Sequence, residues 1–499
     1  MGALQQNSAH FAERAFRNVL LLCLLVYVFS AKGNIEIDDT RYSLSTAQQI
    51  VAHGRLDIPN SEGYTFRAPD GRSYSKFGIG LALYYLPWVA AGDALSRFAH
   101  LPQLELNGFL VSFANIPFAI LTLVLFAELL KWFGFTGTYT WLFPLTLGLG
   151  TMTWRYAVYD FSEAMQMGLL MLAVYGAVRG TSKSIVCGGA AFAWLFLVKL
   201  LNVVYLPLFL AYLLTRPGDL RRWARSAALF MSPFVLAGCF VLWLNAVRFG
   251  NAWESGYGAE ARLFFPLQLW QSVPQLLGSL DTGLFVYCPV LLLGILGWKE
   301  FASRYRAEAL LCGGLVAGNL ILTGAWWAWH GWWVWGPRFL VPMIPFWLLP
   351  VAFWLAHRPS QAKYWTFALF TLISVGLQIP GVLVKDNEIN FIKQSMLTKQ
   401  EQRFAPSNYV ADCIVFWHKL GGRNEVYPVS EFHIPGDRQL DLTGHGTFIG
   451  FNVWTEQVAR RMSRPALRWL PLAALFLFGY LAIRVGATIR DRLHATTSV

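Results

Sequence analysis

Charge is what this sequence has least of. Lys, Arg, Asp and Glu together make up 14% of 499 residues, while hydrophobic residues make up 56% and aromatics 16%. Ordinary soluble domains carry about 25% charged residues, so a single aqueous globule is excluded. Cysteine is also sparse. Five of the six (Cys23, Cys187, Cys239, Cys288, Cys312) fall in hydrophobic stretches and only Cys413 has an aqueous setting, which argues against a disulfide framework or a cysteine-based metal site. A small-residue cleavage site is missing after the apolar stretch 18–30, so the stretch reads as an uncleaved first helix rather than a signal peptide. No internal repeat of the transporter kind stands out either.

What fills the chain is apolar runs near the length of roughly 20 residues that a bilayer crossing needs. Twelve spans are expected, at approximately 15–31, 107–130, 138–152, 162–178, 185–198, 200–214, 226–247, 283–298, 307–325, 338–356, 363–383 and 466–483. The runs on either side of Lys199 are short enough to be a broken helix. Segment 77–95, with Gly78, Gly80, Pro87 and Gly92, is expected to be re-entrant or interfacial rather than a thirteenth span. The fold class is therefore an all-α polytopic membrane protein of about 12–13 transmembrane helices.

Orientation follows from the basic residues. Short segments holding Arg179, Lys183, Arg216, Arg221, Arg222, Arg225, Lys299, Arg304, Arg306 and Arg358 fall on one side, which the positive-inside tendency makes cytoplasmic. The net charge of +12 is thereby explained as topology, with no call for nucleic acid as a partner. Both termini are then cytoplasmic, and three regions lie outside: loop 32–106, loop 248–282 and segment 384–464. The module 1–383 is transmembrane, 384–464 is expected to form a small α+β or β-rich cap, and 465–499 holds the last helix and a cytoplasmic tail.

The residues that stand out chemically sit at span boundaries. In NIEIDDTRY (34–42), Asp38 and Asp39 open a helical stretch just outside the first span. As structure they suit a helix N-terminus, and as chemistry they are carboxylates at a membrane surface. Lys76 lies among aromatics and glycines in GRSYSKFGIG, where it would either snorkel to headgroups or bind an anion. Six tryptophans between Trp326 and Trp335 surround Trp329 and His330 and lead into GPRF with Arg338. Such clusters build interfacial belts, and their faces also stack on sugars. Arg155, Asp160 and Glu163 in TWRYAVYDFSEAM, Lys199 and Asn202 in LVKLLNVVY, and Glu254 in NAWESGYG complete the set. Ionisable groups at membrane depth default to functional candidates, though Arg155 also suits a structural ion pair with Asp160 or Glu163.

Taken in order, the acidic pair, SKFGIG, DFSEAM and WGPRFLVP resemble the landmarks of the GT-C superfamily of polytopic glycosyltransferases. The resemblance is to the bacterial branch related to protein O-mannosyltransferases and the lipid A aminoarabinose transferase, and it runs over roughly residues 15–360. The segment after Lys76 departs from the pattern in lacking paired prolines. The resemblance implies transfer of a sugar from a polyprenyl-phosphate such as undecaprenyl phosphate to a hydroxyl of a lipid, glycan or protein acceptor, at the outer face of a bacterial inner membrane. It implies Asp38, with Asp39 as alternate, as general base; Lys76, Lys199 and Arg338 on the donor phosphate; and Tyr42, Glu163, Trp329 and His330 near sugar or acceptor. No cofactor is implied with certainty. A divalent Mg or Mn ion, if used, would fall to Asp39 and Glu163. The competing readings are a multi-pass lipid or sugar transporter or flippase, and an O-antigen ligase or polymerase.

Overall fold

The computed structural model describes residues 2–58, 65–331, 334–384 and 451–455, with single residues within 413–420 and 473–480. The expected span at 466–483 and most of the expected cap at 384–464 lie outside the described residues.

The described chain is helical. It runs through α1 (Gly2–Ser30), α2 (Asp38–His53), a hairpin of β1 (Thr65–Arg67) and β2 (Ser73–Ser75), then α3 (Ile79–Ala99), α4 (Gln103–Val111), α5 (Ile116–Trp132), α6 (Tyr139–Leu149) and α7 (Thr153–Ala157). After these come α8 (Glu163–Arg179), α9 (Ser182–Val198), a 3₁₀ turn (Leu200–Tyr205), α10 (Leu206–Leu214) and α11 (Leu220–Phe249). The last are α12 (Leu269–Gly278), α13 (Leu284–Tyr287), α14 (Leu292–Arg304), α15 (Arg306–Ala325), α16 (Ile344–Ala356) and α17 (Gln361–Leu383). Among the described residues, five helical stretches are long and apolar enough to cross a membrane: 103–132, 220–249, 306–325, 338–356 and 361–383. The protein is a polytopic membrane protein, as expected. The two strands pair antiparallel, Phe66 opposite Tyr74.

Capping marks the helix starts that matter for the bundle. Thr181, Asp219 and Ser360 each accept a backbone N–H in the first turn of α9, α11 and α17. Small residues set the packing. A Cβ on Gly176 or Gly188 would press α8 into α9, one on Gly189 would strike the Phe230 carbonyl of α11, and ones on Gly294 and Gly297 would strike α16. In a bilayer, where apolar area alone does not drive helices together, such close approach supplies the contact.

Two expectations meet the structure directly. The chain does break at Lys199, which is extended (φ −148°, ψ 109°) between α9 and the 3₁₀ turn. Of the two readings of segment 77–95, re-entrant or interfacial, the structure removes the first, and α3 is not among the described helices long and apolar enough to cross a membrane. Residues 79–95 belong to one continuous 21-residue helix, α3, which keeps Pro87 inside and packs on α2, α4 and α9. Gly80 and Gly92 are buried there against Val198 and Asn107 and serve close packing, not a chain reversal.

Candidate functional site

The ends of α3, α8, α9 and α11 converge on one cavity. Lys76 follows β2 directly, and its segment runs on over the last turn of α9. A Cβ on Gly78 would collide with the carbonyls of Leu197 and Val198, and one on Gly80 would lie 2.6 Å from the Val198 nitrogen. These glycines therefore permit Lys76 and Lys199 to share a site. Arg248, 5% exposed in the last turn of α11, holds the Lys76 strand by donating from Nη1 to the Ser75 and Phe77 carbonyls at 3.3 Å each.

Arg338 and Lys199 are placed by aromatic rings. Gly336 takes a left-handed φ of 66°, which turns the chain so that Arg338 starts the 3₁₀ turn Arg338–Met343 ahead of α16. The Arg338 guanidinium lies 4.5 Å from the Phe161 ring centre and 4.6 Å from that of Phe339, and its Nε is buried without a partner. Lys199 Nζ stands 4.4 Å over the Phe339 ring. Glu163, the first residue of α8, is 3% exposed, within coulombic reach of Arg338, Lys199 and Asp39, and its Oε2 has no partner.

The acidic pair is positioned by the loop ahead of α8. Asp160 Oδ2 accepts the Glu36 and Ile37 amides at 3.0 Å each, and its carbonyl accepts the Thr40 hydroxyl. Asn115 in turn donates to the Tyr159 and Phe161 carbonyls. Burial pushes the Asp160 carboxyl up to about 7. Ile37 is the N-cap of α2, so Asp38 and Asp39 are its first two helical residues and point about 100° apart. Asp39 lines the cavity with Thr40 and Ser43. Asp38 is 51% exposed and lies 3.5 Å from Arg41.

The cavity has two joined arms. A mostly apolar one, about 1360 Å³ with its open mouth, runs between α9, α11 and α15 past Leu195, Val241, Leu244, Leu322 and Met343. A polar one, about 1240 Å³, holds Asp39, Lys76, Glu163, Lys199 and Arg338. Lys76, Glu163, Lys199, Tyr257, Glu260 and Phe339 line both. Lys76 Nζ pairs with Glu260 at 2.8 Å and lies 5.1 Å from the Tyr257 ring centre.

With this geometry in hand, known structures provide a match. ArnT from Cupriavidus metallidurans bound to undecaprenyl phosphate aligns at a TM-score of 0.52 and 16% identity, covering 85% of this chain and 83% of that one. The fold is that of ArnT. ArnT from the same organism in the apo state aligns at a TM-score of 0.49 and 16% identity, over 80% of this chain and 73% of that one. No family model matches the chain, and no curated protein matches it in sequence. The likeness to ArnT reaches further along the chain than the stretch 15–360 over which the sequence landmarks run.

On the ArnT-like scaffold, five of the nine residues to which the resemblance gave a role line the polar arm, Asp39, Lys76, Glu163, Lys199 and Arg338, and Asn202, also singled out from sequence, lines the apolar arm. Among the described lining residues Asp38, Tyr42, Trp329 and His330 do not appear. Tyr42 packs near Phe77 with ring centres 6.2 Å apart, and Trp329 lies against His330. Burial and the nearby Arg338 charge hold the His330 imidazole below its usual range. The same tryptophan cluster supplies Trp326 and Trp327 to the wall instead, while Trp335 is core, donating to Gln378 Oε1 at 3.3 Å. Glu260 and Tyr257 were not singled out from sequence. Their loop was noticed for Glu254, which accepts the Gly256 amide at 2.9 Å and so shapes the loop. Among the described residues no group of three or more His, Cys, Asp or Glu could hold a metal ion. Glu163 faces two cations already, a poor setting for a divalent ion.

Proposed function

We propose that the protein is a GT-C glycosyltransferase that moves a sugar from a polyprenyl-phosphate carrier to an acceptor hydroxyl. The observation that carries this reading is the two-armed cavity, in which an apolar channel opens onto Lys76, Lys199 and Arg338 opposite Asp39 and Glu163. A carrier of this kind has the same two parts, an isoprenoid chain and an anionic head. The ArnT structure with undecaprenyl phosphate bound supports that choice of donor.

In this reading the acceptor oxygen attacks the anomeric carbon while Asp39 takes its proton. The bond from that carbon to the phosphate oxygen breaks, and its electron pair leaves with the polyprenyl phosphate. Lys199 and Arg338 offset the growing charge, Arg338 through its planar fork and Lys199 as a point charge. Attack opposite the leaving phosphate inverts the anomeric centre. Glu163 and the Trp326 and Trp327 faces contact the sugar. No step is assigned to a metal.

The positive-inside distribution supports a cavity on the extracytoplasmic face of a bacterial inner membrane with both termini cytoplasmic. Acceptors there are lipids, glycans or proteins of the cell envelope, lipopolysaccharide among them. The test is transfer by the purified protein in nanodiscs from a panel of polyprenyl-phosphate sugars to membrane extract. Asp39→Asn is expected to lower kcat by roughly 10²–10⁴-fold and Asp38→Asn by no more than a few-fold. Full activity in Asp39→Asn would remove this carboxylate from the chemistry. Absence of transfer with every donor would turn the reading toward a carrier of lipid-linked sugars.

A further inference from the structure

A second buried polar cluster lies outside the cavity. Lys32, Glu36 and Asn452 are 1%, 6% and 4% exposed. Lys32 Nζ donates to the Val382 carbonyl at the end of α17 and to the Asn452 carbonyl at 3.2 Å. Asn452 Nδ2 donates to both Glu36 carboxylate oxygens, at 3.1 and 3.3 Å, across 416 residues of sequence. Its backbone N–H donates to the Leu383 carbonyl at 2.9 Å. Trp454 completes the clasp. Its amide donates to the Ala31 carbonyl at 2.7 Å, its Nε1 donates to the Val28 carbonyl, and its indole stands edge-on to Phe109 and Phe113. Gly33, at φ 72°, passes so close to Trp454 that a Cβ there would meet Trp454 Cβ at 2.7 Å.

A buried ionic cluster is a costly way to close a helix end, and apolar residues of the same volume would hold the segment at least as well. What this cluster adds is direction. The Glu36 that receives Asn452 also gives its own amide to Asp160 Oδ2, and Asp160 accepts the Thr40 hydroxyl through its carbonyl. Thr40 lies in the first turn of α2 beside Asp39. A continuous hydrogen-bonded path therefore runs from residue 452 to the turn that decides which of two adjacent aspartates faces the cavity. An error of one residue in that turn is a rotation of about 100° and would exchange Asp39 for Asp38.

We propose that Asn452 is a positioning residue. Through Glu36 and Asp160 it holds the first turn of α2 in the rotation that keeps Asp39 on the cavity. The proposal rests on the reading of Asp39 as general base, and its test has one arm that does not need turnover.

The test uses the full chain in nanodiscs, comparing wild type with Asn452→Ala, Asn452→Asp, and Asn452→Asp combined with Glu36→Gln. The double variant reverses which partner carries the charge and keeps one carboxylate in the cluster. In hydrogen exchange, Asn452→Ala is expected to speed exchange of amides 33–42 by at least tenfold and to leave 116–132 unchanged. In transfer assays Asn452→Ala and Asn452→Asp are expected to lower kcat about 10–100-fold with the donor KM within twofold, and the double variant to recover most of that loss. Wild-type exchange at 33–42 in Asn452→Ala would overturn the proposal. So would a loss of activity that merely follows the folded fraction, or a double variant no better than Asn452→Asp. If Asn452→Ala does not fold, the comparison of Asn452→Asp with the double variant decides. If the wild-type protein transfers no sugar, the proposed function falls, while the exchange arm still judges whether Asn452 orders the turn.

Discussion

Arg338 carries its charge between two phenyl rings, and that placement restricts what can replace it. A lysine would keep the charge but lose both the planar contact with Phe161 and Phe339 and the fork that, in the proposed function, would grip two phosphate oxygens. Arg338→Lys is expected to lower kcat/KM for the lipid-phosphate donor by about 10–100-fold, equivalent to about 1.4–2.7 kcal/mol of transition-state stabilisation. Steady-state kinetics with a fixed acceptor check this, and near-wild-type kcat/KM would mean that the guanidinium does not touch the donor. Asp160 makes a different claim, about pH. Its pKa in the fold lies near 7, above the ordinary carboxyl value of 3.8, so the fold favours the protonated form. The cost of ionising it is absent below about pH 4, grows as pH rises toward 7 and is constant above that. Asp160→Asn removes the titration. Its melting temperature relative to wild type is expected to rise between pH 5 and pH 8, whatever the sign of the difference at pH 5. A difference independent of pH over that interval would show that Asp160 is ionised throughout. Sequence alone pointed to Lys76, Glu163, Lys199 and Arg338 because a charge at the edge of an apolar run is conspicuous. The resemblance preferred Asp38 with Asp39 as alternate, whereas Asp39 is the one that lines the cavity; adjacent residues differ only in helical rotation, which sequence does not show. Glu260 was hidden for the opposite reason: an acid in a polar loop is ordinary until Lys76 is seen beside it.

At the level of elements, the site is a meeting of helix ends that glycines allow to touch. Gly78 has an ordinary φ of −60°, so its need for glycine comes from the α9 carbonyls it abuts and not from backbone conformation. Gly78→Ala is expected to cost about 1–3 kcal/mol through the forced shift and to separate Lys76 from Lys199. Gly238, on α11, has open space where a Cβ would go, and Gly238→Ala is expected to be neutral or to stabilise by up to about 1 kcal/mol. Thermal unfolding of the two variants in nanodiscs, read beside donor binding, separates the cases. Equal behaviour would mean that the approach of α3 to α9 is not tight. The same glycines explain why a re-entrant turn was one of the two readings of 77–95. Gly and Pro inside an apolar run signal a break when the neighbours are unknown, yet here Gly80 and Gly92 are contact points and Pro87 is carried within α3. Lys199 was read correctly as a break because the apolar runs flanking it are each too short for a full crossing. The joining of 451–455 to α1 and α17 was out of reach of sequence reasoning, because nothing in FNVWT signals a partner 416 residues away.

For the molecule as a whole, the question is how much of the donor the cavity reads. The apolar arm is walled by α9, α11 and α15 and contains no charge beyond the rim it shares with the polar arm and Arg248. In the proposed function, recognition along it would come from buried apolar area, at about 25 cal/mol per Å², while the rim would supply the ionic contacts. The two contributions are separable by shortening the carrier or by filling the arm. Leu244 lines the arm from α11, and Leu244→Trp puts a larger side chain there without touching the charges. If the isoprenoid chain lies in this arm, the variant raises KM for a full-length polyprenyl-phosphate sugar by about tenfold or more and leaves a short-chain donor such as a farnesyl-phosphate sugar nearly unaffected, with kcat unchanged for both. Equal effects on long and short donors would place the chain elsewhere, on the lipid-facing surface of the bundle, and would leave the polar arm alone to account for donor recognition.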